Sequence, residues 1–157
     1  NPAGADNQVM GVFHPDLVGI QARVLQRLGS RHVLVVHGAD GLDEISISEA
    51  TYVAELKGGQ VSEYTVHPDL FGLPISPIGM LRVANADEAC EKLLGVLNNE
   101  VGAARDIVQM NAGAAIYAAG LTGTLEEGVA KADEVIASGA AKTKLDRLIT
   151  LSNCFKA

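Results

Sequence analysis

The apolar positions change period twice along the chain, and each change marks a different kind of element. Residues 8–13 (Gln-Val-Met-Gly-Val-Phe) and 32–36 are short apolar runs of the kind that form buried strands. Between them Leu17, Ile20, Val24, Leu25 and Leu28 recur at helical spacing. Pro15 suits the first position of that helix, and Gly29 sits where it would stop. Strand, helix and strand within roughly 30 residues is the βαβ pattern of a parallel sheet.

The pattern then changes to a hairpin. Thr51–Lys57 and Gln60–Val66 flank Gly58-Gly59, a strong two-residue turn signal. That turn pairs Leu56 with Val61, Ala54 with Glu63 and Tyr52 with Thr65, giving one mostly apolar face. The opposite face, with Glu55, Lys57, Gln60 and Ser62, is expected to be wet. A hairpin beside a βαβ unit predicts an otherwise parallel sheet with an antiparallel edge. Residues 67–84, with Pro68, Pro74 and Pro77, read as a loop crossing the surface.

The second half is helical. Asn85 followed by Glu88 has capping-box spacing, ahead of a stripe of Ala86, Ala89, Cys90, Leu93, Leu94 and Leu97. Residues 101–119 are apolar nearly all round and rich in Ala, which predicts a buried helix closely approached by its neighbours. Thr124 and Glu127 open another helix ending near Gly139, and a last helix is expected over 142–151. The fold class is therefore α/β: a mixed, mostly parallel sheet with an antiparallel hairpin, flanked by helices. The 157 residues suit a single α/β domain.

Composition narrows the function. The net charge of −7, without a basic stripe or tail, argues against nucleic acid or an anionic membrane as partner. No apolar run is long enough to span a bilayer, and no signal peptide is visible. Cys90 and Cys154 lack zinc spacing and imply no disulfide framework, which fits the cytoplasm. Cys90 reads as a small buried hydrophobe.

The chemistry concentrates in His37-Gly-Ala-Asp-Gly-Leu-Asp-Glu-Ile-Ser46, directly after the second strand. Open α/β sheets bind ligands at the carboxyl ends of their strands. Carboxylates do not bind phosphate directly, but Asp43 and Glu44 can hold a hard cation such as Mg²⁺ that does. Adjacent carboxylates also decorate solvated loops, and the residues alone leave both readings open. Asp40 reads as a turn residue and His37 as a hydrogen-bonded structural histidine. His14 reads as a helix-start residue, while His32 and His67 have no evident company. Asn111, interrupting an apolar helix, is expected to bond a neighbouring loop. Arg105-Asp106 reads as an ion pair at the helix surface, and Lys142, Lys144 and Arg147 as a solvated face. There is no GxSxG, GxGxxG or P-loop, so a glycine-rich phosphate cradle would have to come from elsewhere.

Several of these segments together resemble the anthranilate phosphoribosyltransferases of tryptophan biosynthesis. His37-Gly-Ala-Asp-Gly-Leu-Asp-Glu44 is similar to that family's HGxDGLDE motif, and residues 105–117 to its RDxVxxNAxxALY segment. Ser138-Gly-Ala-Ala, Lys144-Leu-Asp-Arg-Leu-Ile149 and Ser152-Asn153 resemble its tail, and Asn1-Pro2 the end of its GPLxNP sequence. The resemblance implies transfer of the phosphoribosyl group of phosphoribosyl pyrophosphate to anthranilate, with Asp43 and Glu44 as ligands of Mg²⁺. It assigns no catalytic residue and no cofactor-binding residue to this stretch. It implies a preceding helical domain bearing the glycine-rich loop, a homodimer when full length, and an inactive chain without that first half. Two other readings compete: a pyrimidine-nucleoside phosphorylase, against which the HGADGLDE string argues, and a non-catalytic metal- or nucleotide-binding fragment.

Overall fold

The computed structural model describes residues 4–155, so Asn1-Pro2 lies outside the described residues. Four strands form one sheet in the order β1-β2-β3-β4: β1 Asn7–Gly11, β2 His32–Gly38, β3 Thr51–Lys57 and β4 Gln60–Val66. Helix α1 (Asp16–Arg27) links β1 to β2, which pair in parallel as the βαβ pattern predicts. The hairpin has the expected register: Leu56 faces Val61, Ala54 faces Glu63 and Tyr52 faces Thr65. Gly58 and Gly59 turn it, both with positive φ, which suits a right-handed strand pair.

The balance of the sheet departs from expectation. Among the described residues one strand pairing is parallel and two are antiparallel, so the sheet is mixed but not mostly parallel. The reason lies after β2: residues 39–50 return the chain as a loop, with no crossover helix, so β3 runs back beside β2. β2 is also longer than expected, taking in His37 and Gly38 of the acidic motif.

β2 is buried at every position because both faces are covered. Val33 and Val35 pack with Ala54, Leu56 and the α1 residues Val18, Ala22 and Leu25. Leu34 and Val36 point the other way, toward Ile45, Ile47, Val53 and the helix α3 (Ala103–Ala118) through Met110, Ala114 and Tyr117. Helix α4 (Leu125–Ala137) lies on α3, and its start is a complete Thr124/Glu127 capping box. The α3–α4 approach is backbone to backbone. A Cβ on Gly113 would stand 2.5 Å from Val129 Cα, and one on Gly128 would stand 2.4 Å from the Gly113 carbonyl oxygen.

Three expectations about side chains are corrected here. Glu55 is buried, because β3 is an interior strand covered on both faces. Its neighbours in the expected wet set, Lys57, Gln60 and Ser62, are exposed. Helix α2 (Ala86–Leu97) is capped by Asn85, which accepts from the Glu88 N–H at 2.9 Å. Only Gly95 and Val96 of α2 are buried, so Cys90, Leu93 and Leu94 are exposed and Cys90 is no core hydrophobe. Helix α5 (Ala140–Asn153) buries none of its residues. Finally, Arg105 does not pair with Asp106. Successive helical residues do not face each other. Arg105 donates instead to Asp133 at 2.5 Å, Asn99 at 2.8 Å and Gln109 at 3.0 Å. Asp106 is buried, and that burial raises its pKa against the lowering effect of the Arg105 charge.

Candidate functional site

The loop after β2 is built from its own polar groups. Gly38 N–H donates to the Leu42 carbonyl at 2.7 Å, and Ala39 N–H to the Ala50 carbonyl at 2.8 Å. Asp40 gathers the turn: its carboxylate accepts from Ser48 Oγ at 2.5 Å, Ser46 Oγ at 2.7 Å and Leu42 N–H at 3.2 Å. Partial burial works to raise the Asp40 pKa, but these hydrogen bonds outweigh it and hold the carboxyl below its usual value. Asp40 is thus the turn residue expected, with its acceptor capacity spent on the loop. His37 is the structural histidine expected, with Nδ1 2.7 Å from the Val12 carbonyl. His14 Nδ1 accepts from Asp16 N–H at the start of α1, also as expected.

Asp43 and Glu44 stand on this loop, both exposed. Among the described residues neither carboxylate has a hydrogen bond or ion pair. No group of three His, Cys, Asp or Glu side chains able to hold a metal exists among the described residues. Among the described residues the loop therefore offers two adjacent free carboxylates and no cluster that adds a third. This donor set fits Mg²⁺, which is bound through one or two carboxylates and keeps its remaining positions for water and substrate phosphate. It does not fit a zinc or calcium cage, which needs more protein ligands.

The surroundings of the pair come from three elements. Gly11 ends β1 against it: a Cβ there would stand 1.6 Å from the Asp43 carbonyl oxygen. Asn111 of α3 accepts from Ile45 N–H at 2.9 Å and donates to the Ile45 carbonyl at 2.9 Å. This is the loop bond anticipated for a polar residue in an apolar helix. Neither the Gly11 contact nor the identity of the bonded loop is visible in the sequence. A cavity of about 940 Å³ opens beside the loop, with Glu44 on its wall and Asp43 off it. Its wall is largely apolar, with Leu42, Leu81, Leu93, Val96, Ile107 and Leu145 among the lining, and Arg82 and Lys92 also stand on it.

A second polar cluster, at the opposite end of β2, was not anticipated. His32 and Tyr117 both meet Glu55 Oε1, at 2.9 and 2.7 Å, and Tyr64 donates to Oε2 at 2.9 Å. Lys57 Nζ donates to Tyr117 Oη at 2.9 Å and lies 4.5 Å from the ring centroid. His32 therefore has company, as does His67, which lies 3.4 Å from Asp69. The Thr-Tyr-Val-Ala-Glu-Leu run of β3, which lacks alternation, is the sequence signal that both its faces are covered.

Comparison with known proteins decides the family. Residues 1–142 match the model of the glycosyl transferase family, a/b domain. The chain belongs to this family. It is 56% identical over 156 residues to an anthranilate phosphoribosyltransferase of Burkholderia multivorans, covering 99% of this chain and 46% of that protein. An anthranilate phosphoribosyltransferase of Ralstonia pickettii is 55% identical over 157 residues, again with 46% of its length covered. The chain thus spans about half the length of the curated relatives it matches. Among solved structures, the anthranilate phosphoribosyltransferase of Thermus thermophilus superposes with a TM-score of 0.87 at 40% identity, covering 96% of this chain and 44% of that one. The Saccharomyces cerevisiae enzyme in complex with PRPP and Mg shares the fold, with a TM-score of 0.75 at 24% identity and coverage of 89% and 41%. Within the glycosyl transferase a/b domain family, the mixed sheet and its flanking helices are the shared architecture.

Proposed function

We propose that the full-length protein containing this chain transfers the phosphoribosyl group of phosphoribosyl pyrophosphate to anthranilate, a step of tryptophan biosynthesis. The similarity of 56% over 99% of the chain to a named anthranilate phosphoribosyltransferase carries this reading. In the reaction the bond from the ribose carbon to diphosphate breaks, a bond to the anthranilate nitrogen forms, and the amine releases a proton. The aromatic amine is neutral at pH 7 and attacks through its lone pair, so the chain needs no strong general base.

Asp43 and Glu44 are the residues that would hold Mg²⁺. The ion, when bound, offsets the negative charge that develops on the departing diphosphate. The two exposed carboxylates would hold it at the end of β2, with their oxygens not engaged by other side chains among the described residues. The remainder of the longer protein would supply the glycine-rich loop and the anthranilate contacts. A homodimer and a cytoplasmic location belong to the same reading.

The test is the double substitution Asp43→Ala/Glu44→Ala in the full-length protein. Activity on anthranilate plus phosphoribosyl pyrophosphate should fall by orders of magnitude, while circular dichroism stays native. An unchanged kcat and unchanged Mg²⁺ dependence would remove the metal assignment.

A further inference from the structure

We propose that Asn111 is a positioning residue for the Asp43–Glu44 pair, fixing from helix α3 where the two carboxylates present their oxygens to a divalent cation. The proposal rests on the reading of that pair given above and adds the residue that sets its geometry.

The side chains of the acidic dipeptide bond nothing among the described residues, yet the backbone around it is held at three points. On the amino side, Asp40 accepts from Leu42 N–H. Beneath it, the Asp43 carbonyl lies where a side chain on residue 11 would be, so only glycine there leaves the peptide in place. On the carboxyl side, the Asn111 amide takes both backbone groups of Ile45, the residue next to Glu44. The amide also donates to the Ile107 carbonyl within its own helix, at 3.0 Å. The amide thus replaces the partner strand that Ile45 lacks, and it is carried by a helix locked against α4 through Gly113 and Gly128.

This bracing matters because Mg²⁺ demands near-ideal octahedral oxygens at about 2.0–2.1 Å, a tolerance a free loop does not meet. Groups that orient metal ligands typically account for about 10–100-fold in metal affinity or activity. Loss of the Asn111 amide would leave the Ile45 N–H and carbonyl without this partner and let the Glu44 backbone shift, without changing either ligand chemically.

Asn111→Asp in the full-length protein separates position from charge. The substitution is isosteric and keeps the acceptor for Ile45 N–H, but it loses the donor and sets a carboxylate against the Ile45 carbonyl. By Coulomb attraction alone, a new negative charge near a cation site tightens cation binding. Displacement weakens it. The readout is Mn²⁺ binding in the presence of phosphoribosyl pyrophosphate, followed by electron paramagnetic resonance. Binding is expected to weaken about 10-fold, with a parallel rise in the Mg²⁺ concentration for half-maximal rate and an unchanged KM for anthranilate. Asn111→Ala should move in the same direction.

Unchanged or tighter Mn²⁺ binding in folded Asn111→Asp overturns the proposal. So does failure of both variants to fold, which would make Asn111 a stability residue. Asp43→Ala/Glu44→Ala is the control: if it binds Mn²⁺ as the wild type does, the metal reading itself fails and this proposal with it. Weakened binding in Asn111→Asp and Asn111→Ala, with binding abolished in the control, supports both.

Discussion

At the scale of single residues, the loop and the polar cluster spend their carboxylates in opposite ways. Asp40 and Glu55 are filled with hydrogen bonds and hold structure, while Asp43 and Glu44 are left open. Burial works to raise the Glu55 pKa, but hydrogen bonds from Tyr117, His32 and Tyr64 outweigh it and lower it from 4.5. Its ionised form is therefore favoured by folding. The stability it contributes is fully present above pH 4.5 and is lost as pH falls through the lower folded value. Glu55→Gln keeps the shape and removes the charge that the three donors serve. The expected cost is about 1.5–3 kcal/mol at neutral pH, from hydrogen bonds to a charged group. Denaturant midpoints across pH check this: the gap between wild type and Glu55→Gln should shrink below pH 4.5. Asp106 is the counter-example, with a raised pKa from burial that its neighbour Arg105 only partly offsets. Ionised Asp106 costs stability that is absent at low pH and grows as pH rises, so Asp106→Asn is expected to hold or raise the neutral-pH midpoint.

At the scale of elements, α3 is the frame on which the site depends. It carries Met110 and Ala114 into the core on one side, Asn111 to the loop, and Gly113 to α4. Gly128→Ala tests how tightly that frame is set. In an exposed helix such a change gains about 1 kcal/mol of helix propensity. Here the new methyl would meet the Gly113 carbonyl oxygen, and overpacking of this kind costs about 1–3 kcal/mol. The thermal midpoint is expected to fall, and a rise would show that α3 and α4 separate easily. Helix α2 gives the contrasting case. Its cap and its period were legible, but an amphipathic stripe states only that a helix has an apolar side, not what that side meets.

At the scale of the whole molecule, the exposed stripe of α2, the unburied α5 and the apolar cavity between them form one uncovered region. The chain also spans only 46% of its curated relatives. The expected outcome is that residues 1–157 alone show no phosphoribosyl transfer, and that transfer returns when the rest of the protein is supplied as a second chain. Turnover by residues 1–157 alone would overturn this.

The sequence by itself determined what local pattern and chemistry can determine. Period fixed strands and helices, Gly58-Gly59 fixed the hairpin register, and Thr124 with Glu127 fixed a helix start, because each depends on residues a few positions apart. The acidic pair and its setting at the end of a core strand were readable for the same reason. Only the tertiary structure decided which groups meet across long separations. The sequence does not say that Asn111 holds Ile45, that Gly11 backs Asp43, or that Glu55 is buried among His32, Tyr64 and Tyr117. Nor does it say that β3 returns antiparallel beside β2. Burial and close approach belong to pairs of elements brought together by packing, and no single segment carries that information.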